Sequence, residues 1–184
     1  RATVRHFAGR VTHYEIWNEP DGKWCWKHGV SAEEYGRFAH DTAKAIREVS
    51  DDAFIIGGSV CMIWDLSYMD TALSAGMAGS VDAVTFHEYT ADETALYTHV
   101  PALEALIHLH DPKIRLIQGE SGSQSRSDGC GALAGGAWTP ERQAKQCLRH
   151  AVADLSTDVL FSSYFSCMDM IEALNGKVGD KTSY

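Results

Sequence analysis

The chain has no apolar run near the roughly 20 residues that a bilayer demands, so nothing in it reads as a transmembrane helix. It has no Lys/Arg cluster either. Its 16 Lys and Arg against 25 Asp and Glu leave a net charge of −9, the wrong sign for tracking phosphates, which argues against a nucleic-acid partner. The five cysteines (Cys25, Cys61, Cys130, Cys147, Cys167) are odd in number and lack CxxC spacing, which removes the usual structural-zinc patterns. Cys147 falls on the apolar face of a helix and reads as a buried thiol. Cys25, Cys61 and Cys130 fall in loops, where pairing is not legible, so redox compartment and localisation stay open. Arg1-Ala2-Thr3-Val4-Arg5-His6-Phe7 carries neither an initiator Met nor a signal-peptide pattern, and the chain is expected to be a processed or truncated product.

What remains is an ordinary globular composition, 184 residues with 45% hydrophobic and 22% charged, most simply one domain. Strands and helices alternate. Val11 to Glu19 reads as a strand, and Ser31-Ala32-Glu33-Glu34 as a capping box. Behind it Tyr35, Phe38, Ala39, Thr42, Ile46 and Val49 form one helical stripe. Further strands are expected at Ala53 to Gly58, Val81 to His87, Ile114 to Glu120 and Val159 to Ser166. Helices are expected from Leu66 to Ala75, from Pro101 to His110, and after Thr139-Pro140-Glu141. The last should bury Ala144, Cys147, Leu148, Ala151, Val152 and Leu155. Ser121 to Trp138 is a Gly/Ser-rich loop, long enough to be a functional lid. Five strands separated by helices demand parallel crossovers, in an open α/β sheet or a (β/α)₈ barrel.

Two segments carry chemistry. Tyr14-Glu15-Ile16-Trp17-Asn18-Glu19-Pro20 is an apolar strand ending in a carboxylate, stopped by a proline that has no N–H. Ile114-Arg115-Leu116-Ile117-Gln118-Gly119-Glu120-Ser121-Gly122 repeats the design. Two strand-end glutamates in a βα-repeating chain suit a retaining glycosidase, which needs two carboxyl groups roughly 5–5.5 Å apart. One is a nucleophile and stays ionised; the other is an acid whose pKa must be raised. Trp17 is expected to favour the protonated form of Glu19, and His87 and Tyr89 to hold Glu120. Loop residues Trp24 and Trp26 are candidates for stacking on sugar rings. Glu88 beside His87 would point to the opposite face of its strand, which argues against a shared metal. No cofactor is expected, because two carboxylates and water suffice.

Trp17-Asn18-Glu19-Pro20-Asp21, the helix through Thr42-Ala43-Lys44-Ala45-Ile46-Arg47, Ile56-Gly57-Gly58 and His87-Glu88-Tyr89 resemble the clan A glycoside hydrolases. Within the clan the likeness is greatest to glycoside hydrolase family 39, the β-xylosidase and α-L-iduronidase type. The resemblance implies a (β/α)₈ TIM barrel and retaining hydrolysis, with Glu19 as acid/base and Glu120 as nucleophile. It further implies Asn18 on the sugar 2-hydroxyl, Tyr89 donating to the nucleophile and His87 lining the pocket. On this mapping the chain covers strands 4 to 8, and residues 1–184 are the C-terminal part of the catalytic domain. The free strand edges would then be covered by a missing N-terminal barrel segment or by a second copy of the chain. The alternatives are a catalytically inactive sugar-binding barrel and an endo-acting clan A polysaccharidase.

Overall fold

The fold is described from a computed structural model, which covers residues 1–129 and 131–166. A short helix α1 (Ala2–His6) precedes β1 (His13–Glu15), α2 (Ala32–Arg47), β2 (Phe54–Val60) and α3 (Leu66–Ala72). These are followed by β3 (Ala83–His87), α4 (Leu96–His110), β4 (Arg115–Ser121), α5 (Pro140–Leu155) and β5 (Val159–Tyr164). The five strands are all parallel and lie in sequence order, as consecutive strands of a (β/α)₈ barrel do. Among the described residues no helix is long and apolar enough to cross a membrane.

Local signals act where expected. The Ser31 hydroxyl accepts the Glu34 N–H at 3.2 Å and so starts α2. The reciprocal half of the box is diverted, because the Glu34 carboxylate takes the Trp26 indole N–H at 3.3 Å instead. The Thr139 hydroxyl caps α5 through the Arg142 N–H, with Pro140 in the first turn. Tyr35, Ala39, Ala43 and Ile46 of α2 are buried with Ile55, Val84, Phe86, Leu103, Ile107 and Leu116 in a core between strands and helices. Burial of each large apolar side chain there stabilises by about 1.5–3 kcal/mol.

Alternation along the strands gives a second, inner face. Ile56, Ala83 and Ile117 form a small apolar cluster there. One step towards the strands' C-terminal ends, Glu15 accepts hydrogen bonds from Ser59 at 2.5 Å and Thr85 at 2.6 Å. Two bulges then break the alternation on either side of β3. Between Gly58 and Val60, Ser59 is an extra residue against β3; between Gln118 and Glu120, Gly119 is. The second bulge matters for chemistry. Strict alternation would send Glu120 to the helix-facing side with Gln118, and the extra residue turns it inward opposite His87.

Three expectations fail. The first strand ends at Glu15 rather than Glu19, because Trp17 and Glu19 adopt φ of 72° and 44°. Helix α4 begins at Leu96, upstream of Pro101. In α5 the face is reversed: Gln146, His150, Ala153 and Asp154 are buried, whereas Leu148, Val152 and Leu155 are exposed and Cys147 is half-buried. The polar face finds partners inward. Gln146 donates to the Thr90 carbonyl at 2.8 Å, His150 lies 3.3 Å from the Gln118 amide, and the Ser162 hydroxyl donates to Asp154. The apolar stripe faces away from the sheet, where no further βα unit packs among the described residues. Cys130 and Cys167 lie outside them, as does Met168 onward.

Candidate active site

Glu19, His87 and Glu120 converge at the C-terminal ends of the strands, with one ligand atom from each lying within 4.8 Å of the others. His87 ends β3 and is 3% exposed, and its Nδ1 lies 3.1 Å from Glu19 Oε1 and 3.7 Å from Glu120 Oε2. The Tyr89 hydroxyl donates to Glu120 Oε1, and the Trp24 indole N–H donates to Glu19 Oε2. The Ser59 carbonyl accepts the Glu19 N–H at 2.9 Å, so the bulge of β2 fixes the backbone that carries the first carboxylate.

The loop after Glu19 is tied down at Asp21. This buried carboxylate accepts the N–H groups of Cys61 at 2.9 Å and Met62 at 2.8 Å, both just past the end of β2. Below it the Tyr35 hydroxyl donates to the Ile16 carbonyl at 3.0 Å and accepts the Gly58 N–H at 2.9 Å. Gly58 itself needs to be glycine, with φ of 90° and a Cβ position 2.6 Å from the Thr85 carbonyl oxygen.

A cleft of about 970 Å³ opens over the two carboxylates. Asn18, Trp24, His87 and Tyr89 line it together with Glu19 and Glu120. Trp17 and Trp26 do not. They stand in a separate hollow of about 420 Å³ with Phe38, their rings edge-to-face at 5.7 Å, and Trp17 donates to the Cys25 carbonyl at 3.3 Å. The left-handed backbone at Trp17 turns its indole out of the cleft. Cys61, Met62, Trp64, Phe165 and residues 131–133 of the long loop complete the walls; the sequence reading expected a functional lid in that loop but gave no place to the other four. Cys61 and Phe165 follow immediately after β2 and β5, so the strand-end rule that found His87 could have found them. That loop is pinned, by Gln143 on the Ser123 carbonyl at 2.7 Å and by Gln124 on the Ala132 carbonyl at 2.6 Å.

The electrostatics of Glu19 run opposite to expectation. Its pKa lies below the ordinary glutamate value, chiefly because of the His87 hydrogen bond, with the Trp24 N–H adding to it; burial pushes the other way and loses. Trp17, expected to favour the protonated form, is turned away. Burial pushes the Glu88 carboxyl up, against a smaller opposing effect of His99, and Glu88 sits behind the site on the other face of the chain. Cys61, facing Glu19 across the cleft, has its thiol pushed up, first by burial and then by Asp21. Glu19, His87 and Glu120 are also the set, among the described residues, whose atoms lie close enough to share a cation. The hydrogen bond of His87 to Glu19 and its ion-pair distance to Glu120 account for that convergence.

No protein-family model matches the chain. Among solved structures it resembles the GH39 enzyme from Xanthomonas axonopodis pv. citri, at 20% identity and a TM-score of 0.69 over 90% of this chain and 36% of that one. A monomeric beta-xylosidase from Caulobacter crescentus CB15 is similar at 18% identity and a TM-score of 0.69, covering 90% of this chain and 37% of the other. The thermostable GH51 alpha-L-arabinofuranosidase from Thermotoga petrophila RKU-1 gives 17% identity and 0.65 over the same shares. The chain thus spans little more than a third of the length of these neighbours. Its described fold is part of a (β/α)₈ barrel, and the solved structures it resembles include members of glycoside hydrolase family 39, to which its motifs pointed.

Proposed function

We propose that this chain is the C-terminal catalytic part, strands 4 to 8, of a barrel that hydrolyses O-glycosidic bonds with retention, Glu19 acting as acid/base and Glu120 as nucleophile. The observation that carries the reading is that one carboxylate oxygen of Glu19, in the loop after β1, and one of Glu120, at the end of β4, lie within 4.8 Å of each other in an open cleft. That approach suits direct attack by one carboxylate. Inverting enzymes hold theirs roughly 6.5–9.5 Å apart to admit a water.

In the first step Glu120 attacks the anomeric carbon and Glu19 gives its proton to the departing glycosidic oxygen, leaving a glycosyl ester on Glu120. In the second, ionised Glu19 takes a proton from water as that water opens the ester. The Tyr89 hydroxyl, donating to Glu120 Oε1, orients the nucleophile and leaves Oε2 for the bond-forming step. His87 sets both carboxylates in one frame. Asn18, on the cleft wall, is assigned to the sugar 2-hydroxyl, and Trp24 to a ring face. Strands β1 and β5 each pair on one side only among the described residues, so a preceding barrel segment or a second copy is assigned to the open edges.

Glu120→Gln and Glu19→Gln test the reading with a panel of aryl glycosides and short oligosaccharides. Hydrolysis should fall to background in the first and by about 10²–10⁴-fold in the second, while sugar binding persists. Binding without turnover in the parent chain would favour the inactive sugar-binding barrel. A strong preference for polymers over aryl glycosides would favour the endo-acting polysaccharidase.

A further inference from the structure

Both oxygens of Glu19 are engaged, by partners of very different character. Oε1 faces His87, which is 3% exposed, belongs to β3 and is wedged between the two carboxylates. Oε2 accepts the indole N–H of Trp24 at 2.5 Å, and Trp24 is 62% exposed on the cleft wall. The loop is shaped for that indole. A Cβ on Gly22 would lie 2.4 Å from Trp24 Cε2 and 2.5 Å from Cζ2, so the ring can rest there only over a glycine.

A leaving-group oxygen must come within about 2.6–3.2 Å of the carboxyl oxygen that protonates it. At Oε1 that means displacing a buried histidine. At Oε2 an exposed indole has only to turn aside. We propose that Trp24 is a leaving-group gate: it occupies Glu19 Oε2 in the empty site, is displaced from that oxygen by the leaving group, and then offers its face to the leaving group's ring. The proposal rests on the assignment of Glu19 as acid/base.

The gate reconciles the two tasks of one carboxyl. With the indole in place, the donated N–H favours the ionised form, in line with the lowered pKa. Displacement removes a donor to the charged form and so favours the proton that the first step consumes. When the leaving group departs the indole returns, and ionised Glu19 is the base for water. The other groups facing Glu19 are His87 from β3, Glu120 from β4 and Cys61 from beyond β2, with Tyr89 held by Glu120. None of them is exposed enough to leave and return as Trp24 can.

The test is ¹H–¹⁵N spectroscopy of the whole chain, with the Trp24 indole resonance assigned by its loss in Trp24→Phe. That resonance should move with pH as Glu19 titrates and be flat in Glu19→Gln. The carboxyl ¹³C midpoint of Glu19 should rise in both Trp24→Phe and Gly22→Ala. The proposal is overturned if the Trp24 resonance ignores pH, still titrates in Glu19→Gln, or if neither variant moves the Glu19 midpoint. In turnover, Trp24→Phe leaves Glu19 without its returning donor. It should lower kcat for p-nitrophenyl glycosides, whose departure needs no proton and whose second step needs ionised Glu19, at least about tenfold more than kcat/KM for disaccharides, which reports the proton-consuming step. Equal losses for both substrate types would remove the gating role. Turnover unchanged by Glu120→Gln would instead sink the glycosidase reading while leaving the spectroscopic result intact.

Discussion

The Tyr35 hydroxyl joins two backbone groups, the carbonyl of Ile16, where β1 gives out, and the N–H of Gly58, where β2 begins to bulge. Removing it takes a partner from each in a buried place. Tyr35→Phe is expected to cost about 1–3 kcal/mol, read as a lower urea midpoint at unchanged m-value. Glu19 makes a pH-dependent contribution of predictable sign. Its folded-state pKa is depressed, first by His87. It therefore stabilises fully above its unfolded value of about 4.3, and the contribution fades as pH falls from there through the folded-state pKa. Thermal melts of the parent chain and Glu19→Gln should differ most near neutrality and converge on acidification. At this scale the sequence was informative about which side chains meet, Glu19, Glu120, His87 and Tyr89, because residues at or just past strand ends enter one bowl. It misplaced Trp17, since nothing in Ile16-Trp17-Asn18 announces a non-glycine residue with positive φ. It overlooked Asp21 because that carboxylate acts on Cys61 and Met62, about 40 residues away in the chain.

Elements were legible to the extent that their causes are local. The cap at Ser31 and the proline at the start of α5 are local, and both lie where the sequence puts them. The orientation of α5 is not. Its apolar stripe promised burial, yet Gln118, Ser162 and Thr90 supply hydrogen bonds that let the polar face go inward. Leu148→Ser and Val152→Ser should consequently change the stability of this chain by no more than about 0.5 kcal/mol, whereas Ala153→Ser on the buried face should cost more. The bulges flanking β3 were also invisible, since one extra residue in a strand leaves no trace in an apolar count. Their worth is testable at Gly58. Alanine there would strain a left-handed backbone by about 1–3 kcal/mol, with a further cost from the clash with the Thr85 carbonyl. Loss of stability in chemical denaturation should be accompanied by weakened sugar binding, because Ser59, the next residue, holds the backbone of Glu19.

For the molecule as a whole, the decisive fact is that, among the described residues, five strands in sequence order leave two open edges. Phe7 and Val11 are exposed near β1, and Leu160 and Phe161 on β5. Such edges promote pairing. Solution scattering should therefore show association of this chain, and a longer chain with the preceding βα units should melt higher; a compact, stable monomer would contradict the proposed covering. The barrel itself was implied by the motif resemblance, because alternation alone fits an open α/β sheet equally well. The central claim is that Glu19 and Glu120 act by double displacement. Mass spectrometry of the chain quenched with 2-deoxy-2-fluoro glycosides tests it most directly. The account predicts one glycosyl adduct, on Glu120, absent from Glu120→Gln. Turnover without an adduct, or an adduct on any other residue, would contradict it.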